Sequence, residues 1–166
     1  MSTKLISLDA STSATGVAVF VDGKYKESYV IETNKKIKGD EKLEQMIDLI
    51  HSLIEGEKPD IVIAENIVSV RNANTTRMLQ ELIGAIRGHC VYRHIVYRTL
   101  RPTEWRSQIV KISGQKPEGR KREDQKVWSL DVVNNKFNIK TESDDEADAV
   151  CIGRAYIEMM KKEINI

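Results

Sequence analysis

Cysteine, histidine and proline are scarce in this sequence, and their scarcity excludes several kinds of protein. The two cysteines, Cys90 and Cys151, have no Cys-x-x-Cys spacing, and the three histidines show no zinc pattern or triad. Neither a disulfide framework nor a zinc site is therefore expected. We expect both cysteines to be reduced core thiols of a cytosolic protein. No Gly-x-Ser-x-Gly or Walker motif occurs, so serine-nucleophile and P-loop chemistry have no support.

Long apolar runs are also missing. No stretch of ~18 apolar residues and no N-terminal apolar segment occurs, so we expect neither a membrane span nor secretion. The 166 residues are 40% hydrophobic and 31% charged, values typical of a folded globular chain. No internal repeat or interdomain linker is visible, and we expect one domain over residues 1–166.

The chain has almost no net charge, but its charges are unevenly distributed. The formal net charge is +1, from 26 basic and 25 acidic residues. Residues 66–126 contain 13 Lys/Arg and 5 Asp/Glu, whereas residues 141–166 contain 7 acids and 3 bases. The middle of the chain is thus a candidate surface for a polyanion, and the end carries acid that a bound cation would neutralise.

The hydrophobic patterns predict an α/β fold. An Asp22-Gly23 turn indicates a hairpin, Asp40 is a candidate N-cap, and Val127 is expected to face inward. Predicted strands cover residues 4–9, 15–21, 24–33, 60–65 and 91–97. Predicted helices cover residues 41–55, a segment ending near 88, a segment from Pro102, residues 121–134 and a final segment from 144 or 145 to about 162. This order indicates a five-stranded mixed sheet, three antiparallel strands followed by parallel ones, flanked by helices.

Two predicted strands end in an acid. Asp9 closes an apolar run, and Glu65 closes another. An ionised carboxylate at the end of a buried strand is costly unless something pairs with it. Asp145 and Asp148 lie three residues apart in the last helix and therefore share one helix face. Each acid alone could be explained by capping, an ion pair or the helix dipole.

Taken together, these four acids indicate a metal site. If they converge, several negative charges meet in a small volume, which is unfavourable without a cation. Oxygen ligands suit Mg²⁺ or Mn²⁺ rather than zinc. Two such ions ~3.5–4 Å apart can activate a water and stabilise the leaving oxygen in phosphodiester hydrolysis.

These segments, in this order, resemble the RuvC family of Holliday-junction resolvases within the RNase H-like (retroviral-integrase) superfamily. The matching segments are residues 5–9 with Thr15-Gly16, residues 63–65, 82–88 and 145–149. The resemblance implies an RNase H-like fold. It also implies a metal-dependent endonuclease with two Mg²⁺ ions per site, replaceable by Mn²⁺, that leaves 5′-phosphate and 3′-hydroxyl ends. The catalytic metal ligands would be Asp9, Glu65, Asp145 and Asp148, with Asp9 bridging the ions.

The resemblance further implies a homodimer that resolves four-way DNA junctions. Residues 82–88 match the dimer-interface helix of the family, although Gly84 and Gly88 could equally serve close packing on the sheet. Val68 stands where bacterial members carry a Phe, and the loop 113–120 and Trp105-Arg106 look more like phage-encoded relatives. We therefore expect broader activity on branched DNA, including three-way junctions and forks, by a phage-encoded protein acting in the cytoplasm of its bacterial host.

Basic and polar residues of the middle region are the candidate DNA contacts. Such contacts position a duplex without reading its sequence. A solvated helix face is the alternative for the basic stretch, helix capping is the alternative near Asn74, and Trp105 and Trp128 could be core or stacking residues. The candidates are Arg71, Asn72, Arg77, Arg98, Arg101, Arg106, Lys116, Arg120, Lys121, Arg122 and Lys126.

Three other functions are compatible with parts of this pattern. An RNase H-like ribonuclease acting on RNA–DNA hybrids would use similar carboxylates as a monomer. A non-catalytic RNase H-like DNA-binding module would not need four retained acids. An actin-like or sugar-kinase-like ATPase also has a loop after an Asp-ended strand, but that fold normally requires two such domains.

Overall fold

The computed structural model of the chain describes residues 2–66 and 72–164, with side chains to residue 162. Val68 and Arg71 lie outside the described residues. Among the helices of the described part, none is long and apolar enough to cross a membrane.

A five-stranded mixed sheet forms the centre of the fold. Its strands are β1 (Lys4–Asp9), β2 (Ala14–Val21), β3 (Lys24–Glu32), β4 (Ile61–Glu65) and β5 (Val96–Leu100). The strand order is β3-β2-β1-β4-β5, with β1, β2 and β3 antiparallel and β4 and β5 parallel to β1. The predicted sheet is therefore confirmed. Asp22 and Gly23 have φ values of 51° and 73°, the pair of positive values that a tight hairpin turn needs.

Helices cover both faces of the sheet. They are α1 (Gly39–Glu57), α2 (Ala73–Tyr92), α3 (Pro102–Ser113), α4 (Arg122–Asp131) and α5 (Asp144–Ile164), and α4 continues into a π-helical segment, Val132–Lys136. Side chains alternate along each strand. Ile6 and Leu8 thus pack in the core under α1 and α2, whereas Leu5 packs in the core under α3, α4 and α5. Cys90 and Cys151 are buried free thiols, one in each core.

The strand predicted over residues 91–97 is wrong at its beginning. Helix α2 continues to Tyr92, a turn follows in which His94 has φ 58°, and β5 begins at Val96. Cys90 is buried one turn beyond Ile86, so the helical spacing of the core residues continues past Gly88. Val91 and Tyr92 are 64% and 78% exposed, and their apolar character reflects the outer face of a helix rather than a strand.

Two smaller expectations are also corrected. Helix α1 begins after Lys38 with no side-chain cap, and Asp40 lies in its first turn, where it forms an ion pair with Arg77. The sequence pattern predicts that Val127 faces inward, but Val127 is 68% exposed, because Trp128 takes the buried position on α4.

Helix α5 packs closely on the sheet because its inner face carries small residues. A Cβ atom at Gly153 would overlap the Phe20 ring and the Ser7 hydroxyl. The buried Ser7 hydroxyl donates a hydrogen bond of 2.7 Å to the carbonyl oxygen of Ala149. This bond connects the middle of β1 directly to the helix backbone and fixes where α5 lies along the strand.

Gly16 allows the same close approach at the beginning of α5. It pairs with Asp9 in the β1–β2 ladder, and a Cβ atom there would overlap the backbone carbonyl of Asp145. The obstructing atoms belong to the backbone, so no side-chain movement could relieve the overlap. The absence of a side chain at Gly16 therefore brings the first turn of α5 to the end of β1.

We expect Gly16→Ala to destabilise the protein by ~2 kcal/mol or more, since the added methyl group forces β2 and α5 apart. Gly56→Ala is a matched control, because Gly56 lies in α1 with open space around it, and it should cost nothing or stabilise the fold by up to ~1 kcal/mol. Urea unfolding measures both. Equal stabilities of the two variants would contradict this account of Gly16.

Candidate active site

The register of the two central parallel strands places Asp9 beside Glu65. Leu8 of β1 pairs with Ala64 of β4, and each acid is the next and last residue of its strand. Because side chains alternate, Asp9 lies on the same face of β1 as Ser7, which is the face covered by α5. Both strand-end acids therefore point toward the beginning of α5.

The beginning of α5 is fixed by its own capping bonds and by β3. The Ser143 hydroxyl accepts a 3.1 Å hydrogen bond from the backbone N–H of Glu146, as expected at a helix N-terminus. The buried Glu146 carboxylate accepts a 2.6 Å bond from Ser28 of β3. Asp145 and Asp148 consequently lie on the first turns of the helix, on one face, opposite the strand ends.

One cavity of about 330 Å³ brings the four predicted acids together. Segments far apart in the chain contribute to it, namely β1, β4 and α5, with basic residues from α3, α4 and the loop before α4. The residues lining the cavity are Asp9, Glu65, Arg106, Arg120, Arg122, Gln125, Lys126, Asp144, Asp145 and Asp148.

Burial and the negative charges of neighbouring acids raise the pKa values of Asp9 and Asp148. The pKa of Asp9 lies well above its usual range, first because the group is buried and then because of the negative charges of Asp148, Glu65 and Asp145. Burial also raises the pKa of Asp148 from 3.8 to about 7, the Ser129 hydroxyl and the Arg106 charge oppose this rise, and the Glu65 charge adds to it. The directions of these pKa shifts agree with the convergence of the carboxylates on one cavity.

Neighbouring groups partly offset the rise in the pKa values of Glu65 and Asp145. Burial raises the pKa of Glu65, whereas the Trp105 indole N–H, which donates a 2.8 Å hydrogen bond to Oε1, and the Arg106 guanidinium lower it. Burial and Asp144 raise the pKa of Asp145, and Lys126 is the main charge that opposes them. Lys126 also forms an ion pair with Asp144. The cavity therefore combines an acidic floor with cations around it.

The donor set fits a hard divalent cation by its chemistry. All four ligand candidates offer carboxylate oxygens, and Oδ1 of Asp148 is buried with no hydrogen-bond partner among the residues that the structure describes. As these side chains are placed, no three Asp, Glu, His or Cys residues of the described part form a group that could hold an ion. The shared cavity supports the prediction of metal ligation, and the coordination itself stays a prediction.

Some of the basic residues predicted to contact DNA lie at the cavity. Arg106, Arg120, Arg122 and Lys126 line it. Lys116 lines an adjoining groove that also contains Arg120, and Lys121 is exposed at the beginning of α4. These six residues form a basic surface on and beside the cavity, which we call the basic rim.

The remaining candidates have structural partners elsewhere. The Asn72 side chain caps α2 by accepting bonds from the backbone N–H groups of Asn74 and Thr75, at 2.9 and 3.2 Å. Arg77 forms ion pairs with Asp40 and Glu81.

Arg98 and Arg101 do not line the cavity either. Arg98 is an exposed residue of β5 whose guanidinium donates to the Tyr97 carbonyl oxygen at 3.0 Å. Arg101 lies 3.6 Å from the Glu104 carboxylate at the beginning of α3. Arg71 lies outside the described residues, so its predicted contact stays a prediction.

Three features of the site were not predicted from the sequence. Asp144 and Gln125 line the cavity, and Trp105 holds Glu65. The adjacent Asp145 was a signal that Asp144 could be near the site. No sequence signal pairs an indole in α3 with the end of β4, because that contact depends on how α3 packs.

Comparison with known proteins supports the fold. No family model matches this chain, and no curated protein is similar to it in sequence. The structure is similar to Thermus thermophilus RuvC in complex with a Holliday junction substrate, with a TM-score of 0.72, 12% identity and 96% of each chain covered. The RuvC structure of the same organism gives a TM-score of 0.69 at 14% identity, again over 96% of each chain.

The yeast mitochondrial Holliday junction resolvase Ydc2 is also similar, with a TM-score of 0.66 and 13% identity over 96% of this chain and 80% of that one. The expected RNase H-like fold, and the resemblance to RuvC at the level of the fold, are confirmed.

We expect Asp9→Asn to stabilise the metal-free protein at about pH 8 by ~1–3 kcal/mol, because it removes one of several repelling charges. Between about pH 4 and about pH 7 the folded protein binds more protons than the unfolded chain, since the pKa values of Asp9 and Asp148 are raised by folding. The stability of the unmodified protein should therefore fall as the pH rises through this range, and the advantage of Asp9→Asn should shrink toward about pH 5.

Thermal unfolding in EDTA at both pH values measures this effect. Glu44→Gln, which removes an exposed charge on α1, serves as the control and should show no such pH-dependent gain. An unchanged or lower melting temperature of Asp9→Asn at the higher pH would show that the acids do not repel one another.

Proposed function

We propose that this chain is a metal-dependent, structure-selective DNA endonuclease that resolves four-way junctions. The observation that carries the proposal is the convergence of four carboxylates from β1, β4 and α5 on one cavity bordered by the basic rim. The fold shared with Holliday junction resolvases supports it. We further propose that residues 1–166 form one nuclease domain.

In this proposal Asp9, Glu65, Asp145 and Asp148 hold two Mg²⁺ ions, for which Mn²⁺ can substitute. When bound, such ions activate water and stabilise the leaving oxygen in phosphodiester hydrolysis. The bond between phosphorus and the 3′ oxygen breaks, which leaves a 5′-phosphate and a 3′-hydroxyl. Arg106 and Arg122 line the cavity with the acids, where their side chains can bind the phosphates that flank the cleaved bond.

A second copy of the chain is proposed to bind along α2. Gly84, Gly88, Val91 and Tyr92 follow one another at helical spacing and are all exposed. A Cβ atom at either glycine would meet nothing within 4 Å, so the alternative that these glycines pack on the sheet is wrong. Two glycines beside two exposed apolar side chains allow close approach of a partner helix, and a dimer would present two sites to one junction.

The proposed substrates include other branched DNA, namely three-way junctions and replication forks. The absence of the Phe found in bacterial members, with Val68 in its place, supports a less strict choice of substrate. The resemblance to phage-encoded relatives supports a role in recombination and debranching of phage DNA inside the bacterial host.

Cleavage of defined DNA structures tests the proposed function. We expect labelled four-way junctions, and more weakly three-way junctions, to be cut in Mg²⁺ and not in EDTA. Linear duplex and RNA–DNA hybrid should remain uncut. Asp9→Asn should lower the rate by ~100-fold or more, since it removes a charged ligand of the ions. No metal-dependent cleavage of any branched DNA would refute the proposal, and cleavage of the hybrid alone would favour the ribonuclease.

Binding measurements test the basic rim separately. We expect Arg122→Gln to weaken junction binding several-fold in EDTA and to reduce the slope of log K against log salt by about 1, the loss of one phosphate contact. Arg93→Gln is the matched control, because Arg93 pairs with Glu55 after the end of α2 and does not line the cavity. Equal affinities and slopes for the two variants would show that DNA does not contact the basic rim at Arg122.

A further inference from the structure

Glu65, one of the cavity acids, accepts a hydrogen bond from a neutral side chain. Nε1 of Trp105 lies 2.8 Å from Oε1 of Glu65 and donates a hydrogen bond to it. Trp105 is 1% exposed and belongs to α3, whereas Glu65 ends β4. A buried indole N–H needs a hydrogen-bond acceptor, and here that acceptor is one of the proposed metal ligands.

The Trp105 ring is held firmly by its surroundings. It stacks on Trp128 with the ring centroids 6.3 Å apart and an angle of 19° between the planes. The Arg106 guanidinium lies 4.7 Å from the centroid of the Trp105 ring. The Glu65 side chain has several rotatable bonds, whereas the packed indole ring directs its N–H along a single line. The indole therefore restricts the rotation of the Glu65 carboxylate.

We propose that Trp105 is a positioning residue that holds the Glu65 carboxylate at the cavity, where it can become a ligand of a divalent cation. This inference rests on the proposed function, in which Glu65 is a metal ligand. Hydrogen-bond partners of metal ligands act in this way, and their loss typically reduces metal affinity or activity by 10–100-fold. The indole accomplishes this without adding a charge, so it orients the acid and leaves the negative charge available to the ion.

Trp128 provides a matched control. It belongs to the same stacked pair and is 3% exposed, but its indole N–H donates a 3.0 Å bond to the carbonyl oxygen of Gln115. Replacing either tryptophan with phenylalanine removes one indole N–H and a similar part of the core. Only the change at Trp105 removes a bond to a cavity carboxylate.

The effect of Arg106 on cation binding must be distinguished from that of the Trp105 indole N–H, because Arg106 contacts the Trp105 ring and also lines the cavity. The two groups act on a cation in opposite directions. Removing the positive charge of Arg106 should leave the affinity for a divalent cation unchanged or increase it. Removing the indole N–H should decrease that affinity.

Calorimetric titration with Mn²⁺ in the absence of DNA tests the proposal. Relative to the unmodified protein, we expect Trp105→Phe to bind Mn²⁺ about 10-fold or more weakly and Trp128→Phe to stay within about twofold. Arg106→Gln should bind as tightly or more tightly. In cleavage of a four-way junction, Trp105→Phe should lower kcat and leave KM for DNA nearly unchanged.

Nuclear magnetic resonance of the unmodified protein gives a readout that does not depend on the folding of a Trp105 variant. The chain has two tryptophans and therefore two indole N–H signals, and Trp128→Phe identifies the one from Trp105. Addition of Mg²⁺ should shift the Trp105 signal clearly and the Trp128 signal much less.

Equal losses of Mn²⁺ affinity in both Phe variants, no loss in either, or an unshifted Trp105 signal would overturn the positioning role. Failure of the unmodified protein to bind Mn²⁺ would overturn it as well. The proposed function fails by a different result, which is the absence of branched-DNA cleavage by the unmodified protein in Mg²⁺. An active enzyme with an unaffected Trp105→Phe variant would leave the function standing and refute this inference alone.

Discussion

The close contact between α5 and the strands β1 and β2 is the constraint on which the site depends. Gly16 and Gly153 let the helix backbone approach the strands, and Ser7 fixes its position with a hydrogen bond to Ala149. A helix at an ordinary distance from the sheet would keep Asp145 and Asp148 farther from Asp9. The small residues of the core therefore determine the spacing of the acids, although none of them carries the chemistry.

This arrangement has an energetic cost that the rest of the cavity partly offsets. Burial and mutual repulsion raise the pKa values of Asp9 and Asp148. Arg106 and Lys126 supply positive charge, and the Trp105 indole supplies a neutral donor to Glu65. A cluster of acids that opposes folding is typical of a site kept for function rather than stability. The stability of the protein should therefore depend on both pH and cation concentration.

The acids could be predicted from the sequence because they interrupt otherwise regular patterns. Asp9 and Glu65 end apolar runs, and β1 spans the residues predicted for it. The start of β5 could not be placed in this way, since Val91 and Tyr92 are apolar yet lie on the exposed face of α2. The contact of Trp105 with Glu65 joins two elements whose packing angle no local pattern encodes.

The positions of the basic side chains are still harder to predict from the sequence. Arg77 and Arg122 are both arginines in the same basic region of the sequence, but one is held by Asp40 and Glu81 and the other lines the cavity. Lys126 has a further property, because its partner Asp144 belongs to the acidic cluster itself. A cation at the acids would weaken that ion pair, and a phosphate would then be the natural partner of the lysine. Under the proposed function, Lys126 would stabilise the acids before a cation binds and would contact the DNA backbone afterwards. Metal binding and substrate binding would then be linked through this side chain.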